Sequence, residues 1–316
     1  MSAHAAAPGP SALPRRRPSR GGGNRVAADR RLGYALVAPV VLLLLAVTAY
    51  PLVYNLWNSF HHVDLSEAGS AQSFVGVDNY TKMFGSSVWL SSLERTAAFT
   101  AVSVGIETVV ALALALMLHR RFRGRGLLRA AILIPWAVPT VVSATLWKTM
   151  FDPRTGFVDY LLGKVGLPGG HTTWLAGIWT SWAAVFVADA WKNVPFMAII
   201  LLAGLQVIPD EVYEAARIDG ASAWQSFRRM TLPLLKPALG VALIFRTLQA
   251  FLVFDVIYIM TGGGPGVSTQ TLAFLNWQTF LVGTDFGYGG AISMMLVVIA
   301  LAISAVYVRV LRPETS

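Results

Sequence analysis

Six long apolar runs constrain this chain more than anything else in it. They cover roughly residues 33–57, 94–118, 127–150, 175–204, 238–260 and 288–310. A helix that crosses a bilayer needs ~20 mostly apolar residues, and each run is long enough. Of the 316 residues, 55% are hydrophobic and 13% charged, where a soluble domain carries roughly 25% charged residues. The length alone would suggest about two soluble domains. The runs instead specify one all-α, polytopic membrane domain of six transmembrane helices over residues 33–311. The fourth run is too long for a straight span and leaves room for an interfacial turn.

The basic residues are distributed unevenly between the runs. With the N-terminus placed in the cytoplasm, residues 1–31 carry seven Arg, the 119–129 loop five, the 206–237 loop four basic residues and the C-terminal end two. The opposite side carries Lys82, Arg154 and Lys164. Eighteen against three is a strong positive-inside bias. It predicts a multi-pass protein of the cell membrane with both termini in the cytoplasm. The net charge of +9 is thereby explained by topology, and nucleic acid is not an expected partner. Residues 1–32, rich in Pro, Gly, Ser and Arg, read as a disordered basic tail, and 312–316 as a short cytoplasmic tail. The first run is too long for a signal-peptide core and reads as an uncleaved anchor.

The chain has no cysteine, which excludes disulfides, thiolate metal sites and cysteine nucleophiles. The five histidines show no metal-ligand spacing, and no nucleophile–base pair is evident, so an enzyme has no constellation to rest on. Thr261–Gln270 is glycine-rich, yet no Gly-Lys-Ser/Thr follows, so it reads as a turn and not a phosphate-binding loop. Val75–Tyr80 reads as a short element capping the bundle. Arg120–Gly126 reads as a topological anchor beside lipid phosphates. Pro135 and Pro139 predict kinks in the third run.

The loop at 206–237 has a detailed plan of its own. Asp210 is placed to cap a short helix from about Glu211 to Ile218. Gly220 suits a left-handed C-terminal cap. Ser222 and Gln225 have capping-box spacing for a second short helix, which is expected to stop near Leu232-Pro233, with Pro237 in the first turn of the fifth span. Ala215 and Ala216 add little bulk and permit close approach of a partner. Glu214 could meet a cation.

Glu214, Ala215, Ala216, Gly220, Leu232 and Pro233 together resemble the EAA loop of ABC importer permeases, and Asp219, Ala221 and Phe227 also fall on common family positions. Val75–Tyr80 and Thr261–Pro265 resemble motifs of the carbohydrate branch. The likeness covers roughly residues 33–310 and is greatest to the maltose/trehalose type, especially the A-type permeases of actinobacterial trehalose importers. It implies the type I permease fold and ATP-driven import of a sugar such as trehalose. It further implies a second permease subunit, two ATPase subunits and an extracytoplasmic sugar-binding lipoprotein as partners. No cofactor is expected in this chain: it has no Walker motif, so ATP and Mg belong to the ATPase subunits. In this likeness Glu214, Ala215, Ala216, Asp219 and Gly220 couple to the ATPase.

Ionisable groups within a span are functional suspects. Trp182, Phe186, Asp189, Asn193 and Phe196 recur every three or four residues along the fourth run and give one aromatic and polar face. Rings can stack on a sugar's C–H face while the carboxylate and amide take its hydroxyls; helix packing through buried polar groups would use the same residues. In the fifth run Arg246 and Gln249 form one face, and Phe251, Asp255 and Tyr258 another. The two cannot reach one pore without a helix break. By family position Gln249, Ala250 and Val253 belong to the pore-lining stretch, where maltose permeases carry asparagines in place of Ala and Val; that departure argues against maltose itself. Arg246 and Asp255 read as ion-pair members, and Glu107 as buried against an unnamed neighbour. A membrane-embedded enzyme and a self-sufficient carrier are the rival readings, neither of which needs an ATPase dock.

Overall fold

In the computed structural model, residues 22–65, 72–120, 122–166 and 172–311 are described. Among the described residues five helices are long and apolar enough to cross a membrane, or six if a bent helix pair is counted as one span. The first, α1 (Gly22–Ser59), begins before the expected end of the basic tail. Residues 22–32, read from sequence as disordered, are thus helical. Residues 1–21 and 312–316 lie outside the described residues. The chain divides within α1 into a unit ending at Tyr54 and a unit from Asn55 onward.

A two-residue hairpin of β1 (His61–His62) and β2 (Ser73–Phe74) precedes α2 (Asp78–Gly85). Asn79 is buried and donates to the carbonyls of Ser59 and His61, both at 3.0 Å. Tyr80 Oη lies 2.8 Å from Ser59 Oγ. The Val75–Tyr80 motif is therefore a structural clasp on the end of α1.

α3 (Ser87–His119) is capped by the Ser86 hydroxyl, which accepts from the Trp89 N–H. The third apolar run is broken into α4 (Arg125–Ile132), α5 (Ile134–Ala137) and α6 (Thr140–Met150). Its two arms meet at 91°, a larger departure than a kink. Pro139 lacks an N–H, and the residue before a proline avoids the helical region; Val138 is extended (φ −69°, ψ 132°). After α7 (Phe157–Lys164), a turn at residues 174–177 leads into α8 (Ile178–Val207), a single helix of 30 residues.

α9 (Asp210–Ile218) and α10 (Ala223–Ser226) form the following loop, and a π turn (Phe227–Thr231) joins α10 to α11 (Leu232–Phe251). The chain resumes as α12 (Asp255–Met260). α13 (Leu272–Trp277) passes through a second π turn (Gln278–Val282), and α14 (Phe286–Leu311) ends the described chain. The Thr261–Gln270 run is a turn, closed by Thr261 and Thr269 hydroxyls 2.7 Å apart.

α3, α8 and α11 form the centre of the second unit. One apolar cluster joins Ala111, Ala115 and Leu118 of α3 to Leu201 and Leu205 of α8 and to Leu235 and Ala242 of α11. α8 and α11 cross closely at Gly204, where any Cβ would collide with that of Ala238 and lie 2.9 Å from Leu235 Cδ1. A second cluster includes Phe99, Val185, Ala250 and Ile257. The polar residues described next sit between these two apolar layers.

Candidate functional site

The fifth apolar run breaks where the sequence demanded it for two faces to share a pore. α11 ends at Phe251, and α12 starts again at Asp255. Arg246, Gln249 and Asp255 consequently line one cavity of about 460 Å³. Asp189, Lys192 and Asn193 of α8 and Trp136 of α5 complete it.

Beside the cavity lies a buried ionic network. Arg246 is 3% exposed and pairs with the carboxylates of both Glu107 and Asp189. Its Nη2 also donates to Glu107 Oε1 and to Ser103 Oγ, each at 2.9 Å. Ser103 Oγ lies 2.9 Å from Glu107 Oε1 and from Asp189 Oδ2. The other oxygen of Asp189 accepts from Asn193 Nδ2 at 2.9 Å. Charges removed from water are tolerable only when paired and hydrogen-bonded, and one guanidinium here serves two carboxylates. Glu107 thus has a named partner in Arg246. Asp189, expected to receive a sugar hydroxyl, is already engaged on both oxygens. Asp255, expected in an ion pair, lines the cavity instead.

The expected aromatic row is divided by its neighbours. From Trp182 to Phe196 it runs about 21 Å along α8, so different elements cover its parts. Trp182 and Phe186 pack on Phe99 of α3, with ring centroids 5.7 and 5.2 Å away. They line a separate cleft with Glu94, Arg95 and Trp179. Phe196 stacks on Trp136 at 5.0 Å. Only Asp189 and Asn193 of the five line the charged cavity.

Lys192 was not singled out from sequence. Its ammonium donates to the carbonyls of Trp136, at 3.3 Å, and of Val138, where the chain enters the 91° bend. A lysine inside an apolar run, between Asp189 and Asn193, is the signal that would have found it. Among the described residues no group of three His, Asp or Glu side chains could hold a metal.

The 206–237 loop departs from its sequence plan in three places. Pro209, not Asp210, occupies the N-cap of α9, and it makes no side-chain cap bond. Ala216 is 3% exposed and turned into the bundle, so of the two alanines only Ala215 offers its side to a partner. The second short helix does not stop at Leu232-Pro233. It continues from Ala223 to Phe251 as one helical rod of 29 residues. The π turn carries it past Pro233, with Leu232 N–H bonding back to the Phe227 carbonyl, and Pro237 lies inside the helix.

The elbow itself is built as its residues require. Gly220 has φ +74°. Its N–H bonds to the Arg217 carbonyl at 3.1 Å, and Ala221 N–H bonds to the Ala216 carbonyl at 2.9 Å. This is a Schellman closure, which needs a left-handed residue. Ser222 and Gln225 form the reciprocal capping box. Glu214, Asp219 and Gly220 are exposed, and Ile218 and Trp224 are 86% and 66% exposed.

Residues 107–312 match the family model described as "Binding-protein-dependent transport system inner membrane component". The trehalose/maltose transport system permease protein MalF of Thermococcus litoralis is 42% identical over 284 residues, covering 90% of this chain and 95% of the relative. The trehalose transport system permease protein SugA of Mycobacterium tuberculosis is 40% identical, covering 89% of each chain. A chain of a bacterial ABC transporter that imports the acidic polysaccharide alginate shares the fold, with a TM-score of 0.77 at 23% identity, covering 92% of this chain and all of that one. This is a multi-pass membrane transport subunit and not an enzyme, and the chain belongs to the family of inner-membrane components of binding-protein-dependent transport systems.

Proposed function

We propose that this chain is a permease subunit of an ATP-driven sugar importer, with a disaccharide such as trehalose as its cargo. The carrying observation is the cavity at the two helix breaks. It sets the Gln249 amide and the Asn193 amide oxygen beside Trp136, with the Asn193 Nδ2 held by Asp189 and the charge of Asp189 countered by Arg246 in its wall. An uncharged polyol needs that combination: amides exchange hydrogen bonds with hydroxyls, and a ring covers the C–H face. Two relatives named for trehalose transport, at 40% identity or more over most of the chain, support the same cargo.

In this reading a second permease subunit completes the pathway, and an extracytoplasmic binding protein delivers the sugar. Two ATPase subunits bind ATP and Mg. The 206–237 loop faces the cytoplasm with both termini, and Glu214, Ala215, Asp219 and Gly220 meet the ATPase. Ala216 supports that surface from behind. Glu214 supplies the charge that fixes register against a basic residue.

Uptake by the assembled importer tests the route. Losing one buried hydrogen bond to a ligand costs about 1–3 kcal/mol, so Asn193→Ala and Gln249→Ala should each lower uptake about 5- to 150-fold while the complex assembles and keeps its basal ATPase activity. Normal uptake in both variants refutes the cavity as the route. Glu214→Lys should reduce co-purification with tagged ATPase; undiminished recovery refutes the dock.

A further inference from the structure

We infer that Lys192 is a clasp that ties the bend of the third apolar run to the cavity, and that a polyhydroxylated substrate loosens it. The inference rests on the reading of this cavity as the sugar route. α5 ends at Ala137 and α6 starts at Thr140, with their arms at 91°. Pro139 supplies no N–H to the turn before it, and carbonyls freed at a break within a membrane must find another donor. The Lys192 ammonium reaches two of them, on Trp136 and Val138. Side chain and bend belong to different elements, so Lys192 adds a polar tie between α8 and the elbow to the Trp136–Phe196 stack.

An ammonium has three donors. Two go to the elbow, and the third is left to the cavity, which Lys192 lines together with Asn193, Gln249 and Asp255. A sugar hydroxyl is a good acceptor for the same ammonium. Substrate that takes this third donor draws the ammonium into the cavity and away from the two elbow carbonyls. The far arm of the elbow has a path onward: Leu128 and Ile132 of α4 pack on the same apolar cluster as Val212 and Tyr213 of α9. Cavity occupancy can thus reach the 206–237 loop through contiguous side chains.

This chain has no cysteine of its own to compete for label. Spin labels are placed on introduced cysteines at the exposed Leu127 and Val141, one on each arm, in the full importer reconstituted in liposomes. Trehalose is the probe, or maltose if uptake selects it, presented on the binding protein and compared with binding protein alone. The native background should give a narrow distance that shifts with sugar. Lys192→Met should broaden the distance without sugar, abolish the sugar-dependent shift, and make ATPase rates the same with loaded and empty binding protein. Lys192→Arg, which keeps the charge and donors, should retain both responses. A Lys192→Met elbow with its native distance overturns the clasp. A broadened elbow that still answers to sugar, or a native elbow that never does, overturns the sensing role. Normal uptake in both Asn193→Ala and Gln249→Ala would sink the sugar route, whereas the clasp is read separately, from the sugar-free elbow distance of Lys192→Met.

Discussion

At the scale of single residues, Arg246 carries more of this structure than any other side chain. It is the only cation bonded to Glu107 and Asp189 among the described ion pairs, and both carboxylates are buried. Removing one partner of a buried pair typically costs about 3–5 kcal/mol, because an uncompensated charge remains. Arg246→Met should therefore lower thermal stability in detergent far more than Glu107→Gln, which leaves Arg246 its bond to Asp189. The double variant should be less destabilised than the sum of the two. Strict additivity, read from tryptophan-fluorescence melting, would show that the pair is not coupled. The sequence exposed these residues as suspects but not their pairing. Glu107 and Arg246 lie 139 positions apart, and no local pattern encodes a contact of that separation. The same limit hid Lys192, whose partners are backbone carbonyls and leave no mark on residue type.

Elements were more legible wherever their signals are local. Gly220, Ser222 and Gln225 act within a few residues of themselves, and the elbow formed as those residues specify. A Cβ at Gly220 would meet nothing within 4 Å, so only the backbone at φ +74° resists substitution. Asparagine tolerates the left-handed region and a β-branched residue does not. Gly220→Asn should transport at near-native rates, whereas Gly220→Val should lose uptake at a strain of about 1–3 kcal/mol. Equal uptake by the two variants would remove any role for the elbow's geometry. Pro233 misled, because a proline reads as a stop from sequence, while a π turn one residue upstream re-pairs the backbone and lets the helix run on. Pro139, with the same chemistry and no such turn, produced a full bend. The aromatic row on α8 misled for another reason: periodicity reports which side of a helix a residue occupies, not which neighbour covers it at each height.

For the molecule as a whole, hydropathy located the spans, since transfer from water to hydrocarbon depends on residues in the span itself. The six runs fall on five long helices and one bent pair among the described residues, although the fifth run is interrupted between Phe251 and Asp255. Orientation rests on the charge bias alone and is open to a direct check. Single cysteines replacing the exposed Ser222 and Val267 should label from opposite faces of intact cells, with Val267 reached from outside. Labelling of both from outside would invert or break the proposed topology.

The unbroken run from Ala223 to Phe251 has a mechanical meaning. Its foot is the capped elbow, with Trp224 exposed, and its head is the break beside the cavity. At 1.5 Å per residue, 29 residues span about 43 Å, so a tilt of about 5° at the foot would carry the head about 4 Å. A stop at Pro233 would have put a joint in the shaft and absorbed that motion. A rod without that joint would deliver any tilt of its foot to the gap between Phe251 and Asp255.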